Sequence, residues 1–404
     1  MKVKIISFII AIVFLLPSFL YAADFGLVLN VMGGYGNPEI EENEPEIKTD
    51  LWTYFSTLVG DNGEFIATAG FTLGSNEEFY HVPEILHTEF TMRFGASGIR
   101  VGRFTYIDPL AFIASGLFDG IQYSYNSSKG IFSIGAWYTG LLYKKNVNIT
   151  MTSEDMEEFG KPFDYSDFFN TYFAPRRAFA AFGWEHPSVG ELVHLNSAVI
   201  AQIDFTNADS KYNNQYIILK AGMPVNNLLF ELGGSIELSQ VSGEKNDNSI
   251  ALAGLAGFSW LFPGEYNSRL SFTGRIAGGV VDGFCDAFVP ITTKYYGYVL
   301  KHKLSGLSVM TLDYSKRFNN AIGASFTTSY FIRNDLGTYL SYPVDSNNKG
   351  YFLGPDFSAR ATWSPASDLQ FNLSGGTFLP ALGNAGRKEK AMWRVKLSAT
   401  MAIF

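Results

Sequence analysis

Polar and apolar residues alternate along most of this chain with a period of two. Between residues 193 and 205, one set of alternate positions is mostly apolar, and the other carries polar side chains such as Asn196 and Gln202. The pattern recurs over 228–238. Because successive side chains of a strand point to opposite faces, it predicts many β-strands with one apolar and one polar face. The longest later apolar stretch, 250–262, is interrupted by Gly and Ser and is shorter than the ~20 residues of a membrane-spanning helix.

The connections between these segments alternate between short and long. The short turns lie around 61–63, 96–98, 126–130, 186–191, 224–227, 262–265, 317–320 and 364–368. The long connections lie near 35–49, 75–84, 107–119, 145–176, 207–214, 242–248, 283–303, 333–350 and 379–390. Short turns at one end and long loops at the other are typical of barrels that cross the bacterial outer membrane. The sequence therefore predicts an all-β fold, a transmembrane antiparallel up-and-down β-barrel of about 18 strands (range 14–18), with periplasmic N- and C-termini.

The first 22 residues have the three parts of a secretory signal peptide. Lys2 and Lys4 precede an apolar run over 5–16, and small residues follow at the expected cleavage site. A membrane anchor is disfavoured because the run is too short to span, and no cysteine follows it for lipidation. We expect residues 1–22 to be cleaved, leaving 23–404 as one barrel domain in the cell outer membrane, with long external loops near 145–176 and 283–303.

Composition excludes several functional classes. The mature chain keeps 28 basic and 38 acidic residues, a net charge of −10 that disfavours nucleic acid as a partner. Cys285 is the only cysteine, so no internal disulfide forms. Metal-binding spacings of the C-x-x-C or H-E-x-x-H kind are absent, and we expect no metal and no cofactor. None of the five histidines lies in a motif with a nucleophile, so an enzyme is not expected.

The leader, the alternating strands and the final Phe404 together resemble the Gram-negative outer-membrane β-barrels, in particular the porin-like channel superfamily. The resemblance implies that the barrel-assembly machinery recognises the C-terminal strand, with outer-membrane lipid and small solutes as further partners and an oligomer as an option. One departure is clear: the apolar positions of the last strand are those of Ile403 and Met401, out of phase with Phe404. Either a bulge shifts the phase or Ile403 is the outward residue. The chain is also loosely similar to substrate-selective 18-stranded channels for acidic solutes and uronate polymers.

Strand parity predicts which charged side chains face the lumen of such a barrel. The pore-lining candidates are Arg93, Glu89, Lys220, Arg269, Arg275, Arg360, Arg394 and Lys396. Their basic members predict a patch that guides anions along one wall, since a low-dielectric pore focuses the field of like charges. The alternative is that interleaved acids, Glu89, Asp313 and Asp356, form lateral ion pairs that only rigidify the wall.

An apolar segment within the 107–119 connection is a candidate constriction loop. Its candidate residues are Phe112, Ile113, Leu117 and Phe118. Folding into the mouth would cover this patch and narrow the channel, whereas an outward position would pack it on lipid or on a neighbouring protomer. The acidic 145–176 loop lacks a calcium-loop spacing, so solvated charge is favoured there over calcium binding.

These observations predict an outer-membrane channel for passive or substrate-selective passage of small hydrophilic solutes, anions among them. Two alternatives stay open. An apolar constriction would suit a fatty-acid-type transporter of hydrophobic substrates. A plugged lumen with chemistry in the loops would suit a surface adhesin or a structural barrel.

Overall fold

The computed structural model describes residues 23–37, 44–76, 78–207, 211–242, 247–264, 268–281, 286–338, 344–345, 349–386 and 390–403. Most of these residues are in strands. The strands are β1 (Ala23–Asn37), β2 (Glu44–Val59), β3 (Gly63–Asn76), β4 (Glu78–Phe94), β5 (Ser97–Ile107), β6 (Ser115–Ser127), β7 (Gly130–Tyr138), β8 (Arg177–Val189), β9 (Val193–Asp204), β10 (Lys211–Val225), β11 (Leu228–Ser242), β12 (Asp247–Phe262), β13 (Ser268–Ala277), β14 (Tyr295–Tyr296), β15 (His302–Lys303), β16 (Leu307–Arg317), β17 (Ile322–Arg333), β18 (Phe352–Ala366), β19 (Leu369–Phe378) and β20 (Met392–Ile403).

Eighteen of these strands form one closed antiparallel barrel, which confirms the fold class and the strand number that the sequence predicts. Each strand pairs with its neighbours in the chain, except that β14 and β15 form a separate ribbon inside a loop. The first strand closes the barrel by pairing with the last, from Leu27 opposite Ile403 to Asn37 opposite Trp393. Residues 23 and 403 both lie at the end where the short turns are, here called the turn end.

The alternation of the sequence becomes an inner and an outer face. On β11, Leu232, Ile236 and Leu238 are exposed on the outside, whereas the intervening Glu237 is buried inside. The last strand follows the same rule, with Val395, Leu397, Met401 and Ile403 outside. An exposed apolar exterior around a polar interior is the arrangement of barrels that lie in lipid.

The longer connections gather at the opposite end, here called the loop end. Their positions agree with the sequence pattern, but two of them are shorter than expected. Over 35–49, β1 continues to Asn37 and β2 begins at Glu44. The expected long connection at 75–84 is wrong, because β3 continues to Asn76 and β4 begins at Glu78, forming a tall hairpin. In the sequence Gly74 and Asn76 resemble loop residues, but in the structure both pair with residues of β4.

The 139–176 loop contains three short helices, α1 (Lys144–Val147), α2 (Ser153–Gly160) and α3 (Phe168–Thr171), and a 3-10 turn spans Pro380–Leu382. Of these helices, α2 begins with a Thr152–Asp155 capping box. None of the described helices is long and apolar enough to span a membrane. The leader, Cys285 and Phe404 lie outside the described residues, so the predictions about them are untested.

Candidate functional site

The lumen is narrowed near the loop end by three inserted loops. The first is 108–114, which Asp108 folds into a compact turn: its buried carboxylate accepts hydrogen bonds from the backbone N–H groups of Leu110, Ile113 and Ala114 at 2.8–2.9 Å. Leu110 then reaches across to the wall, where a Cβ on Gly233 of β11 would lie 2.5 Å from its Cδ2 atom. A larger residue at this position would force Leu110 to shift.

The apolar residues named as constriction candidates lie in this region. Phe112, Ile113 and Phe118 are buried, and Leu117 packs against the same cluster from a partly exposed position. Phe112 contacts Phe288 of the second inserted loop with ring centroids 6.4 Å apart. The structure therefore places this segment inside the barrel rather than against lipid.

The second inserted loop, 286–306, crosses the lumen from one wall to the other. At its start Val289 donates its N–H to the buried Glu237 on β11. In its middle Thr292 donates its N–H to the Ile113 carbonyl. At its far side Asp356 on β18 accepts the N–H groups of residues 298–300 at 2.8–3.2 Å. The crossing is thus anchored at three separate places.

The third inserted loop is 139–176, and a buried arginine holds it. Arg177 at the start of β8 forms ion pairs with Asp155 of α2 at 2.5 Å and with Asp204 of β9 at 3.1 Å, and its side chain is 1% exposed. Asp155 also accepts the N–H groups of Met151 and Thr152. The three side chains therefore clamp the inner half of this loop to the wall.

Several carboxylates anchor loops in this way. The carboxylates that accept backbone N–H groups of loops at the loop end include Asp108, Asp155, Asp204, Glu237, Asp335 and Asp356. Because their lone pairs are directed at protein donors, these acids are not available to bind a solute in the lumen. The acidic net charge of the chain therefore does not fix the sign of the charge that each part of the lumen presents.

A basic wall lines an opening beside the inserted loops. It consists of Arg269 and Arg275 on β13 and Arg360 on β18. A cavity of about 410 Å³ contains the two β13 arginines, and an adjoining cavity of about 180 Å³ contains Arg360. Both cavities share Asp313 and Thr327, so they form one continuous surface.

The rest of that surface consists mainly of hydroxyl groups. The hydroxyl-bearing residues are Ser259, Ser271, Thr273, Thr311, Ser325, Thr327, Ser358 and Ser374, with Tyr298 from the crossing loop. Asp313 lies 3.8 Å from Arg269, a loose ion pair whose arginine side chain is 52% exposed. Within the described residues, Arg275 and Arg360 have no ion-pair partner, and Arg275 lies 5.3 Å from the ring centroid of Tyr296.

The basic surface continues onto the last strand. Arg394 and Lys396 both contact Glu46 of β2, the lysine at 2.9 Å, so one carboxylate faces two cations. Lys301 of the second inserted loop lies near Arg394, Lys396 and Glu46. It meets the water of the lumen but is enclosed by protein, and this partial burial, together with nearby Arg394 and Lys396, lowers its pKa to about 8.

The remaining pore-lining candidates lie apart from this surface. Lys220 on β10 forms an ion pair with Glu231 on β11 at 2.6 Å, and β12 separates this pair from the basic wall. Glu89 is held by the Arg100 guanidinium at 2.6 and 3.0 Å and by His87. Arg93 lies beside the β4–β5 turn at the turn end and lines neither cavity.

The lateral ion pairs considered as an alternative are therefore partly present. Asp313 and Glu89 do pair with arginines, whereas Asp356 binds loop backbone instead. Sequence reasoning missed Lys301, Tyr298 and Arg177 because loop residues and strand ends have no parity signal. The capping pattern at Thr152 and Asp155 is the one available clue, since it marks where a helix of the inserted loop begins.

Calcium binding in the acidic loop gains no support from the geometry. Across the described ranges, no three His, Cys, Asp or Glu side chains lie close enough together to hold a metal ion. Asp155 is used by the Arg177 clamp, and Asp164 caps its own turn by accepting from Ser166.

Solved structures with the same fold are outer-membrane channels of Pseudomonas. OpdK of Pseudomonas aeruginosa superposes with a TM-score of 0.61 at 12% identity, over 95% of this chain and 99% of that one. OccK2 (OpdF) of the same organism, solved with glucuronate, gives 0.59 at 12% identity over 95% and 99%. A BenF-like porin from Pseudomonas fluorescens Pf-5 gives 0.59 at 10% identity over 95% and 99%.

OpdK has also been solved with vanillate. No protein-family model matches this sequence, and neither does any curated protein. At these identities the likeness establishes the fold alone: the chain is a closed 18-stranded antiparallel barrel with the architecture of these proteins.

Proposed function

We propose that this protein is an outer-membrane channel that passes small hydrophilic anions. The observation that carries the proposal is the basic wall of Arg269, Arg275 and Arg360, which faces continuous cavities with a single acid, Asp313. Arginine binds carboxylates through a planar pair of donors, and nearby hydroxyl groups can bind the remainder of a hydroxylated solute.

The charge distribution supports selection by sign. Anchored carboxylates lie on the inserted loops and on strands around the barrel, Asp356 of β18 among them, whereas the three arginines of β13 and β18 face the cavities. A confined, water-filled passage with low-dielectric walls focuses such a field on passing ions. Two of the channels with this fold were solved with vanillate and glucuronate, which are carboxylates, and that agrees with the same reading for this chain.

The location follows from the proposal together with the sequence. The leader over 1–22 directs export, and the apolar exterior suits lipid. The periplasmic position of the turn end, recognition of the final strand by the barrel-assembly machinery, and assembly into an oligomer belong to the same proposal. No enzymatic activity is proposed.

Planar-bilayer electrophysiology tests the function. We expect the purified protein to give discrete conductance steps and a reversal potential that favours anions under a salt gradient. Reversing the wall charges in Arg269→Glu/Arg275→Glu/Arg360→Glu should move the reversal potential toward cation preference, because three free positive charges become negative at one surface.

The control is Lys129→Glu, a reversal at an exposed residue of the β6–β7 turn, away from both cavities. It should leave the reversal potential where the unmodified protein has it. A correctly folded protein that gives no conductance steps would rule out the channel, and an unshifted reversal potential in the triple variant would rule out selection by the basic wall.

A further inference from the structure

The barrel wall is not closed by strand pairing along its full height. β4 and β5 pair over seven residues, from Phe94 opposite Ser97 to Thr88 opposite Arg103. Above that point β4 continues over 78–87 beside β3 only, and β5 continues over 104–107 beside β6 only. The two strands diverge, and the space between them is here called the seam.

One glycine of β5 lies where the two strands diverge. Gly102 has φ +115°, and a Cβ at this position would lie 1.8 Å from the Thr88 carbonyl oxygen. Any other residue would therefore clash with β4 where the two strands part. The next residue, Arg103, is the last that pairs with β4, and its side chain binds Asp119, the residue opposite it on β6, at 2.8 and 2.9 Å.

The seam is filled by the outer half of the 139–176 loop, which takes the place of a strand. Backbone carbonyls of β4 accept hydrogen bonds from side chains: His81 from the Tyr165 hydroxyl at 3.1 Å, Pro83 from the Tyr172 hydroxyl at 2.8 Å, and Ile85 from Arg103 at 2.6 Å. These are single side-chain contacts, two from the loop and one from Arg103 of β5, rather than a continuous ladder.

The filling is mainly aromatic, and it contacts a buried carboxylate of β4, Glu84, which accepts a hydrogen bond from Asn146 at 2.8 Å. Rings of Tyr143, Phe163, Tyr165, Phe168 and Tyr172 contact one another at 4.6–6.5 Å. The cations at its base are already paired, Arg103 with Asp119 and Arg100 with Glu89. This surface is the opposite of the basic wall, so it would accept an apolar solute and offer nothing to an anion.

The height of the seam places it within the membrane. Seven paired residues of a strand tilted as in such barrels rise roughly 18 Å from the turn end. The apolar band of an outer-membrane barrel is about 25 Å tall. Pairing between β4 and β5 therefore ends below the outer edge of the band, at the depth of the outer leaflet.

From these contacts we infer that the seam is a lateral passage between the lumen and the outer leaflet, with loop residues 161–173 as its door, for uncharged apolar solutes. The Arg177 clamp holds the inner half of the loop, so the outer half can move without loss of the loop's attachment. The lateral passage is separate from the basic wall, which lies on the β12–β18 side.

Cross-linking the door tests this inference. His81→Cys/Tyr165→Cys, in a Cys285→Ser background, places thiols where two rings now lie with centroids 4.7 Å apart. The pair is joined by a short bis-methanethiosulfonate linker after folding in the outer membrane of a porin-depleted Gram-negative host. The probe is N-phenyl-1-naphthylamine, which is uncharged and fluoresces in lipid.

We expect the unlinked protein to speed probe uptake above that of cells lacking it. The linker should abolish this gain, and a reducing thiol should restore it, which separates locking from misfolding. Conductance of the linked protein in a bilayer should be unchanged. The matched control is Thr49→Cys/Leu73→Cys, a directly paired position on β2 and β3 at the height of His81, which does not cross the seam.

Two results would overturn the inference. One is probe uptake that complete cross-linking leaves unchanged, or that never exceeds the level of cells lacking the protein. The other is a parallel loss of conductance, which would make the loop a gate of the axial passage instead. Either result leaves the anion channel to be judged separately by its reversal potential.

Discussion

The walls formed by β5–β11 and by β12–β20 enclose the same lumen but use their charges differently. On the first wall, Arg177, Lys220 and Glu237 are each satisfied by protein partners. On the second, Arg275 and Arg360 face open cavities and have no ion-pair partner in the described part of the chain. The first wall fixes the loops that narrow the lumen, and the second presents charge to whatever passes.

The difference teaches that net charge is a poor guide to the lumen. Buried carboxylates such as Asp108 and Asp356 are directed at backbone N–H groups, where the loops would otherwise leave donors unpaired. These acids are therefore not available to a solute in the lumen. An acidic chain can in this way present a basic surface to part of its lumen.

The largest effect on stability is expected when the ion pairs of Arg177 on the first wall are removed. Arg177→Ala leaves the carboxylates of Asp155 and Asp204 buried without their cation, which should cost roughly 3–5 kcal/mol in the free energy of unfolding. The released loop should also make the conductance larger and noisier. Urea unfolding in lipid vesicles and single-channel recording measure the two effects.

The control for this prediction is Lys161→Ala, which removes an exposed ion pair with Glu158 on the same loop. Such a pair contributes little, so no change is expected. Arg177→Lys keeps a cation and should fall between the two. Equal stability of the Arg177→Ala and Lys161→Ala variants would show that the clamp does not hold the loop.

A smaller effect is expected from the titration of Lys301, which lies beside Arg394 and Lys396 of the second wall. The pKa of Lys301 is lowered to about 8, so this side chain is charged at pH 7 and mostly neutral at pH 9. Anion preference should therefore fall as the pH rises through about 8, which reversal potentials recorded across this range will show.

Two variants isolate Lys301 in this experiment. Lys301→Arg keeps its charge at both pH values, so its anion preference should stay high and lose the step. Lys301→Met should show the low preference at both. A step that persists in either variant would assign the titration to another group.

The smallest effect is expected from the paired charges of the first wall. Lys220→Gln/Glu231→Gln removes one positive and one negative charge that lie 2.6 Å apart. Because the fields of the two charges nearly cancel in the lumen, the reversal potential should not move. The Arg269→Glu/Arg275→Glu/Arg360→Glu variant, in contrast, should shift it. If the reversal potential shifts as much as in the triple variant of the basic wall, both walls select ions, and the contrast between them is wrong.

Much of the fold could be predicted because strand periodicity is local. Leu232, Ile236 and Leu238 already alternate with Glu231 and Glu237 in the sequence, and the barrel keeps that alternation. The tall β3–β4 hairpin was missed because Gly74 and Asn76 resemble loop residues. Their strand character depends on pairing with β4, which local pattern does not reveal.

For the site, the alternation of strand residues predicted only which charged side chains face the lumen. Arg269, Arg275 and Arg360 are inward by alternation, and the structure brings them to adjoining cavities. Arg93 obeys the same parity but lies at the turn end, because parity assigns a face and not a height. Lys301 and Arg177 depend on where loops fold, and loop positions have no period to read.

The sequence by itself determined the barrel, since a two-residue period with alternating loop lengths leaves few other ways to satisfy backbone hydrogen bonds in lipid. It also determined which strand positions face inward. Only the tertiary structure decided which charges remain available to solutes and where the wall parts between β4 and β5. Those outcomes depend on contacts between residues far apart in the chain, such as Asp356 with residues 298–300 or Tyr172 with Pro83.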